Sequence, residues 1–298
     1  MPVTLASYNM HFGIGTDGRY DMARLADAVA AADIVCLQEV TQGWPQTGHE
    51  DQLATLATRL DRHAVFGPML SLDASTRDSE GGIVQRRSTF GNAILSRWPI
   101  RHARTVPLPK ATPPDSFDLQ RVALEGVIEV PGLPLRVYSV HLSDIAPGQR
   151  RLQVDTLRDI VAGAAAAGRP WDGTSPLMEF LGYGPFEVPQ SVAVLGDFNF
   201  TPQEANYPRL LAPAATAGHD AAPDGSFLVD AWDIARARGV AQGADRTYAL
   251  GPEAEARIDY CFLDAGLAGR VERAWIDSAA QGSDHYPLFV TLESRSQP

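Results

Sequence analysis

Cysteine is scarce in this chain. The 298 residues include two cysteines, Cys36 and Cys261, and each lies inside an apolar stretch, DIVCLQEV and RIDYCFLD. Two isolated cysteines in apolar surroundings indicate buried thiols in a reducing compartment. They exclude a disulfide framework, and a structural zinc site would need more cysteine or histidine at close spacing.

Targeting and membrane signals are also missing from the sequence. The first residues, MPVTLASYNMHF, lack a basic region followed by an apolar core, so no signal peptide is predicted. No uninterrupted apolar run approaches the roughly 18 residues that a membrane-spanning helix needs. We therefore expect a cytoplasmic protein.

Basic residues are outnumbered by acidic ones. The chain has 36 acidic and 25 basic residues, a formal net charge of -11, and Lys110 is its single lysine. Proteins that bind long nucleic acids usually offer many lysine and arginine contacts to the phosphates. Nucleic acid is therefore a disfavoured partner, although acidic nucleases exist. An enzyme that meets one phosphate locally, through a metal ion, remains fully compatible with this charge.

The residues that are present alternate as in a layered α/β protein. Hydrophobic residues make up 45% and charged residues 20%, an ordinary globular composition. Apolar runs of strand length alternate with amphipathic helical patterns, without internal repeats or an obvious linker. We predict one domain over residues 1–298. Its predicted strands are 3–9, 33–40, 91–96, 119–130, 134–141, 191–199, 257–263, 271–276 and 286–292, and its predicted helices are 21–32, 50–60, 149–167 and 228–238.

Three segments interrupt this alternation. Residues 70–89 are predicted to form a polar loop, and residues 212–225 a low-complexity surface loop. Residues 168–190 look like an inserted loop, since proline and glycine break every periodicity there. This insertion forms either an apolar lip that contacts a membrane or an acyl chain, or a segment folded back on the edge of the domain or on a subunit interface. Its large apolar residues are Trp171, Leu177, Met178, Phe180, Leu181, Tyr183 and Phe186.

Several of the predicted strands end in the same types of polar residue. Carboxylates, amides and imidazoles at or just beyond strand ends indicate a site on the rim of a sheet. Oxygen ligands without cysteine suit a hard ion such as Mg²⁺ or Mn²⁺, which polarises phosphoryl oxygens and lowers the pKa of bound water. Two histidines can then divide the proton transfers. The residues are Asn9, Glu39, His141, Asp197, Asn199, Asp259, Asp284 and His285.

Six short motifs that contain these residues carry a family resemblance. They are SYN at 7–9, LQE at 37–39, HL at 141–142, GDFN at 196–199, RIDY at 257–260 and SDH at 283–285. In this order the chain resembles the endonuclease/exonuclease/phosphatase superfamily, which includes pancreatic-type deoxyribonuclease, apurinic endonucleases, bacterial sphingomyelinases and inositol polyphosphate 5-phosphatases. The resemblance implies a four-layer αββα sandwich, two packed mixed β-sheets flanked by helices. It also implies hydrolysis of a phosphoester by water, with Mg²⁺ or Mn²⁺ as the cofactor.

The resemblance further implies individual roles for the metal and water ligands. Glu39 matches the principal metal ligand, assisted by Asn9 and Asp284. Asp197 and Asn199 match the pair that orients the attacking water and contacts the scissile phosphate.

Proton transfer is assigned to the histidines in the same way. His285 matches the histidine that contacts the phosphate or shares the proton of the water, with Asp259 on its other ring nitrogen to fix one tautomer. A strand-end salt bridge with Arg257 is the alternative for Asp259. His141 is expected to stabilise or protonate the leaving oxygen. A histidine at this position disfavours cleavage at abasic sites as the function, because apurinic endonucleases place a tyrosine there.

Two further residues resemble substrate contacts. Arg121 is similar to a phosphate-contacting arginine of some members, and an ion pair at the strand edge with Glu125 or Asp118 is the alternative. Asn92, in FGNAILSR, matches a recurrent feature of the superfamily, and a turn-forming asparagine explains it equally well.

The sequence thus predicts a metal-dependent phosphodiesterase or phosphomonoesterase that acts on a small or lipid-linked phosphoester. A metal-dependent nuclease is the first alternative, and a non-catalytic member that binds a partner through the same rim is the second. Substrate identity, metal stoichiometry and oligomeric state stay open at this point.

Overall fold

The structure is a computed structural model that describes most of the chain. It describes residues 1–111, 117–145, 147–164, 188–212, 227–250 and 256–294. In the segment between residues 164 and 188 it also describes residues 166, 168, 170, 171, 173, 175–180, 182, 184 and 186. The strands are β1 (Val3–Asn9), β2 (Ile34–Gln42), β3 (His63–Asp73), β4 (Thr76–Arg77), β5 (Ile83–Val84), β6 (Arg87–Ser96), β7 (Ile100–Pro107), β8 (Val122–Ile128), β9 (Leu135–His141), β10 (Val192–Asp197), β11 (Leu228–Asp230), β12 (Ala241–Gln242), β13 (Asp259–Asp264), β14 (Val271–Ile276) and β15 (Leu288–Leu292). The α-helices are α1 (Met22–Val29), α2 (Gln52–Leu60), α3 (Pro147–Ala162), α4 (Pro176–Phe180), α5 (Asn206–Leu211) and α6 (Ala231–Ala237).

Most strands belong to two large mixed sheets. Sheet 1 has the order β12-β14-β15-β1-β2-β6-β3, and sheet 2 has the order β11-β13-β10-β9-β8-β7. Each sheet contains a parallel pair near its centre, β1 with β2 and β9 with β10, and antiparallel pairs on both sides of it. The strands β4 and β5 form a small separate hairpin.

Side chains that alternate along the strands divide the molecule into layers. One set fills the space between the sheets, including Leu5, Cys36 and Ile94 from sheet 1 and Leu124, Leu195 and Cys261 from sheet 2. The opposite set faces the helices. Tyr8 and Leu37 of sheet 1 cluster with residues of α1 and α2, and Tyr138 and Val194 of sheet 2 cluster with residues of α3 and α5. The fold is therefore the predicted four-layer αββα sandwich.

The helices form where the sequence offers both an apolar face and a cap. In α1, Met22, Leu25, Ala26 and Val29 lie on one face and are buried. Asp21 caps this helix, since its side chain accepts hydrogen bonds from the amides of Ala23 and Arg24. Asp51 and Asp230 cap α2 and α6 in the same way.

The predicted elements are mostly present, and the structure corrects several of them. The strands β3 and β7 were not predicted, because their residues are half-exposed and show no clear alternation. The predicted polar loop at 70–89 is instead largely strand, since β3 and β6 continue into it and β4 and β5 lie within it. The short helix α5 and the strand β12 were also missed, and the first three residues of the predicted helix at 228–238 form the strand β11.

The insertion at 168–190 is described in part. It contains α4, whose Leu177 and Phe180 are 60% and 85% exposed. Trp171 and Phe186 contact each other edge to face, with ring centroids 5.8 Å apart. The side chains of Leu181 and Tyr183, and nearly all of the predicted loop at 212–225, lie outside the described residues. A single domain over residues 1–298 stays a prediction.

No helix in the described part of the chain is both long enough and apolar enough to cross a bilayer.

Candidate active site

The candidate site lies at one end of the space between the two sheets. Along each central strand, every second residue faces this space. These positions are apolar in the middle of the strand and become polar at the rim. Asn9 ends β1, His141 ends β9, Asp197 ends β10 and Asp259 begins the antiparallel β13. In the sheet register Asp197 pairs with both His141 and Asp259, so three of the predicted residues form one row across sheet 2.

Asp197 is the centre of the polar contacts. Its carboxylate is buried, and Oδ2 accepts a hydrogen bond from Nδ2 of Asn9 at 3.0 Å. The same Oδ2 lies 3.6 Å from Nε2 of His141 and 3.8 Å from Nε2 of His285. The other oxygen, Oδ1, accepts the backbone N–H of Asn199 at 2.9 Å. One carboxylate oxygen therefore faces both predicted proton-transfer histidines.

Two residues reach the site only because the backbone leaves its regular conformation. Glu39 has φ 58° and Asn199 has φ 52°, in the left-handed region that non-glycine residues rarely adopt. The register of β2 with β6 shifts between Leu37 and Val40, which is a bulge at Glu39. Glu39 lies within β2 rather than at its end, and the bulge turns its side chain to the rim, where Nδ2 of Asn9 donates to Oε1 at 3.2 Å. Such outliers concentrate at functional sites.

His285 is held by Asp259 as the resemblance implies. Nδ1 of His285 lies 2.8 Å from Oδ2 of Asp259, and both side chains are buried. A carboxylate on Nδ1 fixes the ring so that Nε2 points to Asp197. The alternative for Asp259, a salt bridge with Arg257, is not formed, because Arg257 pairs with Asp230, Asp245 and Asp233 instead.

The loop before β15 delivers His285 together with Asp284. Ser283 Oγ donates to the carbonyl of Asn9 at 2.7 Å and accepts the N–H of His285 at 3.1 Å. Thr247 Oγ1 accepts the backbone N–H groups of residues 258 and 259 at 3.1 and 3.0 Å. The hydroxyl of Ser283 thus ties the SDH motif to strand β1, and the hydroxyl of Thr247 holds the start of the RIDY strand.

Arg121 and Asn92, the two predicted substrate contacts, differ in position. Arg121 is buried, lines the site cavity, and pairs with Asp144 through Nη2 at 2.8 Å rather than with Glu125 or Asp118. Its Nε and Nη1 are buried without a hydrogen-bond partner among the described residues. Asn92 is not in the cavity lining. It lies mid-strand in β6, and its amide donates to the carbonyls of Val122 at 3.2 Å and Ser139 at 3.0 Å, so it joins the two sheets beneath the site.

The cavity above these residues has a volume of about 480 Å³. All the predicted site residues line it except Asn92 and Asp259, which lies behind His285. His11, Phe12, Asp144 and Tyr248 also line it, and the ring of Tyr248 lies 5.0 Å from that of His285. These four residues are not among the predicted site residues, because none of them belongs to the six motifs.

Burial and neighbouring charges set the protonation of the site. Burial, reinforced by Asp259, raises the pKa of the Asp197 carboxyl, and burial likewise raises the pKa of Glu39. Burial opposes the charged form of both histidines. For His141, burial together with Arg121 and His285 holds the pKa well below its usual value. For His285 the carboxylates of Asp259 and Asp197 outweigh burial and raise the pKa. The environment of the site thus shifts the pKa values of the two histidines in opposite directions.

The donor chemistry fits a hard divalent cation. Among the described residues, Glu39 accepts a hydrogen bond from Asn9 alone and forms no ion pair, so its partly buried carboxylate is available to a cation. Asp284 also lines the cavity. Asn9 directs its nitrogen at the carboxylates and its oxygen at the N–H of His11, so it would offer an oxygen ligand only with the amide turned over.

A second donor group overlaps the predicted catalytic residues. Asp197, Asp259 and His285 are buried and can each offer one ligand atom within 4.8 Å of the others. The sequence assigned these residues to water activation and proton transfer, and their closeness adds a second place where a cation could be held.

Comparisons with known proteins match most of the chain to one protein family. The profile of the Endonuclease/Exonuclease/phosphatase family matches residues 6–285. The uncharacterized protein YbhP of Escherichia coli K12 is 28% identical over 214 residues, which is 67% of this chain and 68% of that protein.

Solved structures share the fold at low sequence identity. An endonuclease/exonuclease/phosphatase from Beutenbergia cavernae superposes with a TM-score of 0.63 at 22% identity, over 100% of this chain and 72% of that one. The mannosyl-6-phosphatase Bt3783 of Bacteroides thetaiotaomicron superposes with a TM-score of 0.62 at 18% identity, over 98% of this chain and 100% of that one.

The family comprises hydrolytic enzymes, phosphatases and nucleases among them. Because the family profile spans nearly the whole sequence and the layered fold agrees with it, this chain belongs to the endonuclease/exonuclease/phosphatase family.

Proposed function

We propose that this protein is a divalent-metal-dependent phosphoester hydrolase that acts on a small or lipid-linked phosphate by attack of water. The observation that carries the proposal is the convergence on Asp197 Oδ2 of Asn9, His141 and His285 at the floor of a polar cavity. A buried carboxylate between two imidazoles is suited to taking and returning protons.

Glu39 and Asp284, with Asn9 beside them, are the residues that would hold Mg²⁺ or Mn²⁺. When bound, such an ion would polarise the phosphoryl oxygen and lower the pKa of a coordinated water. Glu39 reaches this position through its strained backbone, and its carboxylate has no ion-pair partner among the described residues.

Asp197 and Asn199 would orient the attacking water. Asp197 Oδ2 takes its proton, and the hydrogen bond from Asn9 together with the N–H of Asn199 keeps the carboxylate in place. Asn199 is itself fixed, because its Nδ2 donates to the carbonyl of Leu142 at 3.1 Å, and its Oδ1 is left for the water or the phosphate.

The two histidines and Arg121 would act on the phosphate. His285 donates from Nε2 to a phosphoryl oxygen while Asp259 holds Nδ1. His141 stabilises or protonates the leaving oxygen from Nε2. Arg121 Nε and Nη1, buried and unpaired among the described side chains, would donate to the phosphate, since guanidinium forks suit phosphate oxygens.

Charge supports a small or lipid-linked ester over a long nucleic acid. The chain has 36 acidic and 25 basic residues and a net charge of -11, so its overall charge repels a polyanion. A cavity of about 480 Å³, in which Arg121 is the one arginine among the described lining residues, is large enough for a single phosphate group.

A substrate panel with matched variants tests this proposal. Hydrolysis of bis-p-nitrophenyl phosphate, p-nitrophenyl phosphate, single- and double-stranded DNA and phospholipids is measured with Mg²⁺, Mn²⁺ or chelator. We expect metal-dependent turnover that Glu39→Ala and His285→Ala each reduce at least about a hundredfold. The control variants Glu80→Ala and His63→Ala, at exposed positions, should keep wild-type rates.

Two results would redirect the assignment. DNA as the preferred substrate, with binding that falls steeply as salt is added, would favour the nuclease. Equal background rates for wild type and variants on every substrate, together with metal binding in calorimetry, would favour a non-catalytic binding protein.

Contact of residues 168–190 with a membrane is a separate part of the proposal. The exposed Leu177 and Phe180 support it, whereas the contact between Trp171 and Phe186 fits a segment that folds on itself. Limited proteolysis distinguishes the two. Rapid cleavage within 168–190 that liposomes slow down supports a membrane lip, and resistance under all conditions contradicts it.

A further inference from the structure

A second cavity adjoins the candidate site and differs from it in chemistry. It has a volume of about 500 Å³, and Phe12, Phe90, Phe117 and Leu119 line both cavities. Ile14, Trp44 and Leu70 supply most of the remaining wall, and Thr41, Gln46 and Thr47 complete it. We call this space the apolar cavity. Its volume lies within the range of about 300–1,000 Å³ that is usual for small-molecule sites.

Most polar groups in the wall of the apolar cavity already form hydrogen bonds within the protein. Trp44 Nε1 donates to the carbonyl of Thr89 at 2.7 Å, which leaves the indole ring as its apolar surface. The hydroxyl of Thr47 lies 3.4 Å from that of Thr41 and donates to the carbonyl of Trp44 at 3.2 Å. An occupant of this cavity would therefore gain from burying hydrocarbon rather than from forming hydrogen bonds.

The wall shared by the two cavities is built on strained backbone. Phe12 has φ 54°, in the left-handed region, which costs about 1–3 kcal/mol for a bulky residue. Gln52 Nε2 holds this conformation by donating to the carbonyl of Phe12 at 2.6 Å. The ring of Phe12 stacks on Phe90 with centroids 5.5 Å apart. Phe117, on the same wall, is 76% exposed, so a large apolar surface faces open space beside the phosphate site.

We propose that the apolar cavity binds an alkyl chain attached to the phosphate, so that the preferred substrates are amphiphilic phosphoesters. This inference rests on the proposed function, since it requires the phosphate to occupy the adjoining site. A nucleobase fits less well, because most of this wall is apolar and Gln46 is the wall side chain that has no hydrogen bond among the described residues, whereas an alkyl chain needs contact area alone. The acidic chain also disfavours a polyanion.

A homologous series of substrates tests the proposal. Methyl, butyl and octyl p-nitrophenyl phosphate share one leaving group and one reaction, so that only the alkyl chain differs. We expect kcat/KM to rise about fourfold for each methylene that enters the cavity, which corresponds to about 0.8 kcal/mol, and then to level off. An octyl-to-methyl ratio within about twofold would overturn the proposal even if hydrolysis itself is metal-dependent.

A pair of leucine variants locates the effect. Leu70 lines the apolar cavity, and Leu72, on the same strand β3, is 46% exposed and does not line it. Leu70→Gln should lower the octyl-to-methyl ratio by at least about threefold, because it places an amide in the apolar wall. Leu72→Gln should leave the ratio at its wild-type value. Equal ratios in both variants would place the chain elsewhere and contradict the assignment.

Binding of non-hydrolysable compounds separates this inference from the proposed function. Calorimetry with octylphosphonate and methylphosphonate needs no turnover. At least tenfold tighter binding of the octyl compound, reduced in Leu70→Gln, supports the apolar cavity even if no substrate is hydrolysed. Equal binding overturns it. A p-nitrophenyl ester of thymidine 5′-phosphate that is turned over faster than the octyl ester would also overturn it, in favour of a nucleotide.

Discussion

Replacement of Arg257 by methionine should destabilise the protein strongly. Arg257, in the RIDY motif, is 1% exposed, and its guanidinium lies 2.6 Å from Asp230, 2.6 Å from Asp245 and 3.4 Å from Asp233. It also lies over the ring of Tyr260, 4.6 Å from the ring centroid. Methionine would keep much of the packing of the side-chain stem and remove the charge, so the variant isolates the ion pairs.

The size of the loss in stability depends on which hydrogen bonds Asp230 retains when the guanidinium of Arg257 is removed. Removal of one partner from a buried ion pair costs about 3–5 kcal/mol, because the remaining charge is buried without compensation. Asp230 is 2% exposed but retains the hydroxyl of Tyr207 at 2.9 Å and the N–H of Trp232 at 2.9 Å. We therefore expect Arg257→Met to lower the free energy of unfolding by about 3 kcal/mol, near the lower end of that range. Unfolding in urea measures this loss.

A double-mutant cycle tests the reasoning. Asp230→Asn keeps a capping side chain for α6 and leaves Arg257 paired with Asp245, so it should cost less, about 1–2 kcal/mol. The double variant should be more stable than the sum of the two losses by at least about 1 kcal/mol, because no buried carboxylate is then left uncompensated. Losses that add within about 0.5 kcal/mol would show that the pair is not coupled and would refute the argument.

Three further outcomes are expected. Asp259→Asn should lower kcat about 10- to 100-fold with little change in KM, because His285 loses its charged partner on Nδ1; steady-state kinetics on the best panel substrate measures this. Cys36 and Cys261 should not react with a thiol reagent in the native protein, because burial raises the pKa of both thiols, and should react fully in urea. Gly196→Ala should destabilise the fold by at least about 2 kcal/mol in urea unfolding, because a Cβ there would lie 2.0 Å from a backbone carbonyl oxygen of β9.

Each of these outcomes has a matched control. Asp27→Asn, an exposed aspartate on α1, should leave kcat unchanged, and an equal loss there would contradict the role of Asp259. The native thiols should react no faster as the pH is raised from 7 to 9, and fast labelling would show that they are accessible. Gly148→Ala places a Cβ where no atom lies within 4 Å, so a comparable loss of stability would point away from steric contact at Gly196.

Part of the site could be predicted from the alternation of apolar and polar residues along the strands. In β1, Leu5 and Asn9 share one face, and in β10, Leu195 and Asp197 do so, so apolar positions that end in a polar residue predict a rim facing the space between the sheets. The same rule applies to β13, except that Asp259 begins its strand, which is antiparallel to its neighbour. The alternation of side chains therefore predicts which strand-end residues meet at the rim, even when the order of the strands in the sheet is not known.

Glu39 could not be placed in this way. Val35 and Leu37 of β2 face the helices, and strict alternation would put Glu39 with them, away from the site. The bulge and the left-handed backbone reverse its direction, and neither leaves a signal in the local sequence, which contains no glycine or asparagine at this position. Its place near the end of a predicted strand and the LQE motif pointed to Glu39, but the alternation of side chains along that strand did not predict that it faces the site.

Other features were not predicted for a different physical reason. The strand β3 was not recognised because hydrogen bonds with β6 hold it at the edge of sheet 1, while many of its side chains remain exposed and thus free of a hydrophobic pattern. Asn92 was matched by its motif, but its amide serves the contact between the sheets, a role that depends on a partner distant in sequence. The apolar cavity joins Phe12, Trp44 and Phe117 from separate segments and had no linear signature.

The position of β15 has a consequence for biosynthesis. This strand inserts between β14 and β1, so that Val3 pairs with Leu292 and Ser7 with Leu288. At about 5–20 residues per second, a ribosome completes β15 on the order of 15–60 s after β1. Throughout that interval β1 has one open edge in an apolar sheet, which invites pairing with other nascent chains. Asp284 and His285 emerge with the same last segment, so partial translation products lack part of the candidate site, and a chaperone that covers the open edge should raise the yield of folded protein.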